Sequence, residues 1–230
     1  MFSTVRAKQD VRRELAARRG QFDPTVAQRL SERICARLLD LHEVKAARIL
    51  SLYAALPGEV DLSALVPVCR KRGQIMLLPR FNTQAAAYEM VPFRDPAAET
   101  ACGRFGIREP LPSLPALPAA QLVSPTIVWL VPGLGFDRAG HRLGRGKGFY
   151  DQLLCATRGL RIGVAFNWQL LPEIPAEAHD MCMDLVVTEE TVFRAGGRRP
   201  PFAAPADRRR TSRSAAPSPA CGLRNSGIKR

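Results

Sequence analysis

Residues 131–154 read VPGLGFDRAGHRLGRGKGFYDQLL, an apolar run that enters a long polar loop before a helical pattern resumes near Phe149. Within the loop, Gly144, Gly146 and Gly148 leave backbone N–H groups room to close around phosphate oxygens. The helix behind them adds the positive end of its dipole, and Arg142, Arg145 and Lys147 add full charges. Together these residues predict a triphosphate site. The loop is not a Walker A motif. Gly140 precedes the Gly146-Lys147 pair by one residue too many, and Gly148 stands where Ser or Thr would bind magnesium. Nor is it a dinucleotide fingerprint, because Phe149 occupies the place of the third glycine. An isolated G-x-G-x-G is more often a solvated hairpin or lid, so the weight falls on what flanks it.

A loop of this kind needs rigid elements on both sides, and the chain supplies them. Residues 4–18 are rich in Ala, Arg, Lys, Glu and Leu without Gly or Pro, and Phe22-Asp23-Pro24 then offers an N-cap with proline at the first helical position. A second helix over residues 24–42 places Val26, Leu30, Ile34, Leu38 and Leu41 on one apolar face, expected to pack on a sheet. Short β-rich runs follow at 48–53, 74–78, 88–92, 126–131, 161–165 and 185–187, with helical stretches such as 62–72 and 150–157 between several of them. The alternation predicts an α/β fold: an open, mostly parallel, Rossmann-like sheet flanked by helices. In such sheets ligands lie beyond the carboxyl ends of strands, which directs attention to the segments after Tyr53 and Val131. Five prolines between residues 108 and 125 predict a surface loop there.

Charge and cysteine usage exclude several functions. The net charge of +13 suggests a nucleic-acid partner only until it is divided along the chain. Residues 194–230 hold ten basic side chains against Asp207, so +9 of the +13 lies there and +4 remains on residues 1–193. That remainder suits anionic small molecules more than a nucleic-acid surface. We therefore expect one catalytic domain, residues 1–193, and a disordered basic tail rich in Arg, Pro, Ala and Ser, residues 194–230, with too few large apolar groups to offset the entropy of ordering it. The six cysteines are scattered, and His42, His141 and His179 lack metal-ligand spacing. No nucleophile, base and orienter set is visible. No apolar stretch is long enough for a signal or a membrane span, and a cytoplasmic monomer with no membrane or nucleic-acid partner is the expectation.

The 131–154 string resembles the signature of the 5-formyltetrahydrofolate cyclo-ligase family, close to LVPGLAFD-x-x-G-x-RLG-x-G-x-G-[YF]YD. Further similar segments follow in order: Lys8 and Arg12 as Lys-x-x-x-Arg, SLYAALPGEVD at 51–61, FGIREP at 105–110, and GVAFNWQLLPEIPAEAHDMCMDLVVTE at 163–189. The resemblance covers essentially residues 5–190.

What the resemblance implies is an ATP- and Mg²⁺-dependent ligase of folate one-carbon metabolism that converts 5-formyltetrahydrofolate to 5,10-methenyltetrahydrofolate, ADP and phosphate. A formyl oxygen is a poor leaving group, so it takes the γ-phosphoryl group, N10 attacks the activated carbon, and phosphate departs as the ring closes. Such chemistry depends on positioning and charge neutralisation. The family's pattern carries over Arg145 and Lys147 as catalytic cations, Leu143, Phe149 and Tyr150 beside the loop as nucleotide contacts, and Lys8 and Arg12, one helical turn apart, as further ones. It implies Asp151 and Asp180 as metal carboxylates, with Asp180 ranked above the nearby Asp184. Leu56, Glu59, Asp61, Phe149 and Tyr150 are implied for the folate, with Trp168 a further apolar candidate. Alone, Lys8 and Arg12 would more often be a solvated face, and Glu59 and Asp61 turn or cap carboxylates. Where many members have Tyr-Tyr-Asp, this chain has Phe149-Tyr150-Asp151, so stacking at the first position survives and a hydrogen bond does not. A kinase or ligase for another small metabolite, and a nucleic-acid-binding protein acting through its tail, are the alternatives.

Overall fold

In the computed structural model residues 2–195 are described, apart from 104, 105, 147, 156, 178 and 179. Lys147 and His179 therefore lie outside the described residues, as does the 194–230 segment beyond Ala195. The chain opens with α1 (Phe2–Gly20), α2 (Pro24–Asp40) and the short α3 (His42–Ala46). It continues through β1 (Ile49–Ser51), α4 (Leu65–Lys71), β2 (Ile75–Asn82), β3 (Ala87–Phe93), α5 (Pro96–Glu99), β4 (Thr100–Cys102), β5 (Arg108–Pro110) and α6 (Ala119–Leu122). The remaining elements are β6 (Ile127–Pro132), β7 (Gly135–Asp137), β8 (Arg142–Leu143), α7 (Phe149–Cys155), β9 (Leu160–Val164), β10 (Leu170–Leu171), β11 (Leu185–Val187) and β12 (Val192–Arg194).

Seven strands form the main sheet in the order β12-β11-β9-β6-β1-β2-β3. The five inner strands pair parallel, and β12 and β3 close the edges antiparallel. The expected open, mostly parallel sheet with flanking helices is what the chain forms. β6 shows why: five of its six residues, Ile127 to Val131, are buried, the pattern of a strand covered on both faces. Val128 and Leu130 face a core with Ile34 and Leu38 of α2, whereas Ile127, Trp129 and Val131 face one with Leu154 of α7. The alternation along one strand thus builds two layers of core.

α2 begins where the sequence indicates. The Asp23 carboxylate accepts hydrogen bonds from the N–H groups of Thr25 and Val26 at 2.8 and 2.9 Å, and Pro24 sits in the first turn. Its buried stripe is turned from the expected one, with Ser31 and Cys35 joining Ile34 and Leu38 while Val26, Leu30 and Leu41 are only half-buried. The cause is a polar contact that periodicity does not register. Ser31 Oγ accepts from the Asp61 N–H at 3.0 Å and the Cys35 thiol donates to the Asp61 carbonyl at 3.3 Å, docking α2 on the turn after β1. Burial and the Asp61 carboxylate push that thiol up to about 12, so Cys35 stays protonated.

Among the described residues, two smaller sheets, β10-β7-β8 and β4-β5, are not hydrogen-bonded into the main one. The proline-rich stretch expected as a loop contains β5 and the single turn α6. The sheet itself reaches Arg194, whose guanidinium hydrogen-bonds the Glu43 carboxylate of α3. Burial alone would raise the Glu43 carboxyl, but the Arg194 contact, a backbone hydrogen bond and the nearby His42 together hold the group below its ordinary value. No described helix is long and apolar enough to cross a membrane.

Candidate functional site

β1 and β6 are neighbours at the centre of the sheet, and beyond their carboxyl ends a cavity of about 590 Å³ opens. Tyr53, Ala54, Pro132 and Gly133 line it at those strand ends, together with the glycine loop, Lys8 and Arg12 of α1, and Pro79 and Tyr88 of the β2–β3 hairpin.

Arg142 is closely enclosed, with a side chain 5 % exposed. Its Nη2 donates to Asp151 Oδ1 at 3.0 Å, and its guanidinium lies 5.6 Å from the Tyr150 ring centroid. Nε is buried without a hydrogen bond. Gly144 lets the loop cross this guanidinium, since a Cβ there would sit 2.8 Å from Arg142 Nη1. Gly146 and Gly148 take φ of +88° and +67°, the left-handed region that favours glycine.

α1 reaches the loop along one face. Lys8, Arg12, Leu15 and Arg19 follow at helical spacings, and each makes a long-range contact. Lys8 Nζ sits 2.6 Å from Asp180 Oδ2 and 3.4 Å from Glu177 Oε2. Arg12 Nε donates to the Gly144 carbonyl at 2.9 Å. Leu15 packs with Leu134, Leu143 and Ile174. Arg145 Nη2 donates to Glu59 Oε1 at 2.8 Å, and Arg19 approaches the same oxygen.

The structure brings Lys8, Arg12, Leu56, Glu59, Arg142, Leu143, Gly144, Arg145, Gly146, Gly148, Phe149, Tyr150, Asp151 and Asp180 to one cavity. Asp61 does not line it. Its two oxygens accept from the N–H and hydroxyl of Ser63 at 2.9 Å, the turn role its position also permits. Asp184 accepts from the Arg161 N–H at 2.7 Å beside β9, also off the cavity. Trp168 packs against Phe22, with ring centroids 5.6 Å apart, on the core side of α1. Phe149 meets the edge of Tyr88 at 4.7 Å between centroids, so its ring continues an aromatic wall. Burial and then the Glu59 carboxylate raise the phenols of Tyr53 and Tyr150 well above their ordinary value, keeping both protonated. Tyr53 uses its hydroxyl to fix the turn, donating to the Val60 carbonyl at 3.0 Å.

Sequence reasoning passed over Arg19, Tyr88, Glu177 and the 107–109 segment, all of which stand at or beside the cavity. Arg19 had a signal, since it continues the spacing of Lys8 and Arg12. Tyr88 had none, because an aromatic residue in a strand reads as core.

Asp137 holds the approach to the loop. Buried, it accepts from Ala139 N, His141 N and His141 Nδ1 at 2.9 Å and from Ile174 N at 3.0 Å, joining the β7–β8 turn to the segment that leads to Asp180. Asp137→Ala leaves these donors unsatisfied and is expected to cost about 3 kcal/mol of stability in urea denaturation. A loss under about 1 kcal/mol would mean that water replaces the carboxylate.

No group of three or more His, Cys, Asp or Glu side chains placed to hold a metal occurs among the described residues. A nucleotide-bound magnesium ion needs only one or two protein carboxylates, the other oxygens coming from phosphate and water. Asp151 and Asp180 both face the cavity and each is now neutralised by a cation, Arg142 or Lys8, so the donor chemistry fits such an ion.

The model of the "5-formyltetrahydrofolate cyclo-ligase family" matches residues 4–189. A 5-formyltetrahydrofolate cyclo-ligase of Mycolicibacterium smegmatis is 38 % identical over 152 residues, which are 62 % of this chain and 74 % of the relative. One from Mus musculus is 28 % identical over 193 residues, 80 % of this chain and 95 % of the relative. The NMR structure of Aquifex aeolicus 5,10-methenyltetrahydrofolate synthetase superposes with a TM-score of 0.72 at 33 % identity, covering 84 % of this chain and 95 % of that one.

Proposed function

Since the chain belongs to the 5-formyltetrahydrofolate cyclo-ligase family, we propose that it closes 5-formyltetrahydrofolate to 5,10-methenyltetrahydrofolate at the expense of Mg·ATP. The observation that supports this most is the composition of the cavity. The glycine loop with Arg142, Arg145, Lys8 and Arg12 lines the same cavity as the half-buried Leu56, Glu59 and the Tyr88–Phe149 wall. A polyanion and a flat, weakly polar ring system would lie side by side there.

Arg142, Arg145 and the neighbouring Lys147 would surround the phosphate oxygens, with the N–H groups of residues 144–148 completing the cradle. Lys8 and Arg12 would reach the same phosphates from α1. Asp151 and Asp180 would hold the magnesium ion, which offsets phosphate charge. Glu59 would accept from the pterin N–H groups, while Phe149 and Tyr150 keep the ring flat against the loop. The residues thereby bring the formyl oxygen in line with the γ-phosphorus and N10 within reach of the formyl carbon. The phosphoryl group passes to the formyl oxygen, the new C–N bond forms as N10 gives up its proton, and the C–O bond breaks with loss of phosphate, which carries away the formyl oxygen. The basic segment beyond Ala195 is dispensable to this chemistry in the same proposal, and the working unit is a cytoplasmic monomer.

The test is absorbance in the methenyltetrahydrofolate band on mixing the protein with 5-formyltetrahydrofolate and Mg·ATP. Product that forms only with ATP and magnesium is expected. Nucleotide binding without product would sink the folate assignment in favour of another small formylated or carboxylated metabolite.

A further inference from the structure

Glu59 is approached by more cations than one carboxylate needs. Its Oε1 accepts from Arg145 Nη2 at 2.8 Å and lies 3.7 Å from Arg19 Nη1, while Oε2 accepts from the Leu56 N–H at 3.0 Å. The guanidiniums differ in setting. Arg145 comes from the glycine loop with a side chain 42 % exposed, whereas Arg19 comes from the last turn of α1 and is 20 % exposed. Arg19 Nη1 is buried and makes no hydrogen bond, so a donor stands just short of the oxygen that Arg145 occupies. Its stem is guided by Gly58, where φ is +75° and an added Cβ would collide with Arg19 Cγ. Burial, then repulsion from Arg145, lowers the Arg19 guanidinium below its ordinary value while Glu59 opposes the shift, as expected of two cations competing for one anion.

We propose that Arg19 is a positioning residue, the standing counter-ion of Glu59 that closes on Oε1 when Arg145 turns to phosphate. Arg145 holds Glu59 in the ligand-free site, yet as a phosphate-binding cation it must leave. The Glu59 side chain is 9 % exposed, and stranding its charge there would oppose nucleotide binding. Arg19 removes that penalty by moving its unsatisfied donor the short remaining distance. The inference rests on the nucleotide assignment of the glycine loop and needs nothing from the folate assignment.

The experiment is calorimetric titration of the full chain with Mg·ATP in the absence of folate. Arg19→Met is expected to weaken binding about fivefold and Arg19→Lys to restore most of it. In a Glu59→Gln background, where no carboxylate detains Arg145, Arg19→Met is expected to change affinity less than about twofold. A role in holding α1 alone would give equal losses in both backgrounds. Unchanged affinity in Arg19→Met, or a loss that persists with Glu59→Gln, overturns the exchange. Wild-type protein that binds Mg·ATP but forms no methenyltetrahydrofolate defeats the substrate assignment and leaves the exchange measurable. Wild-type protein that binds no Mg·ATP defeats both.

Discussion

The Asp151→Ala chain is expected to form methenyltetrahydrofolate about a thousandfold more slowly than wild type, with a smaller change in the Mg·ATP concentration for half-saturation. Asp151 stands in the first turn of α7, where its charge meets both the helix N-terminus and Arg142. Truncation removes a proposed metal oxygen and also unpairs Arg142, whose Nε already lacks a hydrogen bond. The unpaired guanidinium keeps attracting phosphate, so nucleotide binding survives better than turnover. Asp151→Asn preserves shape and one oxygen but not charge, and the same deficit is expected from it. Stability should fall by only about 1 kcal/mol, because Asp151 is partly exposed and its contribution to the helix start is modest. A variant retaining more than about one-tenth of wild-type turnover would remove Asp151 from the metal. A large fall in melting temperature would instead make it a structural partner of Arg142.

The glycine loop was legible because its chemistry is local: Gly144, Gly146 and Gly148 alternate with cations within a few positions, and the backbone geometry they permit follows from residue type. The sheet was legible for a related reason. Buried parallel strands such as β6 need uninterrupted apolar runs, and those survive as pattern. What the sequence hid is polar and distant. The rotation of the α2 stripe depends on Ser31 and Cys35 meeting the backbone of Asp61, some thirty residues on. β7, β8 and β10 are two or three residues long and leave no periodic trace. Asp61 and Glu59 look equivalent in SLYAALPGEVD, yet one turns into a local cap and the other toward two arginines, a choice made by the left-handed turn at Gly58. Asp180 and Asp184 are ranked in sequence only by resemblance, and the physical difference between them is spatial: Lys8 reaches Asp180, whereas Asp184 accepts from the Arg161 N–H.

Lys8→Met is expected to raise the Mg·ATP concentration for half-saturation by about thirtyfold and to loosen α1 as well, and the two effects can be separated. Lys8 is 7 % exposed in its side chain and lies between Asp180 and Glu177, residues some 170 positions away. Removing the ammonium takes the cation from between two neighbouring carboxylates, so the segment around Asp180 repels itself and an approaching triphosphate together. If Lys8 serves only to pin α1, Glu177→Gln in the Lys8→Met background, which relieves the repulsion and leaves the proposed metal carboxylate Asp180 in place, restores stability in urea and restores affinity with it. If Lys8 also contacts phosphate, stability returns and affinity does not, because a neutral side chain offers nothing to the nucleotide. The second outcome is the expected one. The burial of Lys8 beside an acidic pair is costly for an anchor that Leu15 and Arg12 already provide, and it is intelligible for a cation kept compensated until phosphate oxygens replace those carboxylates.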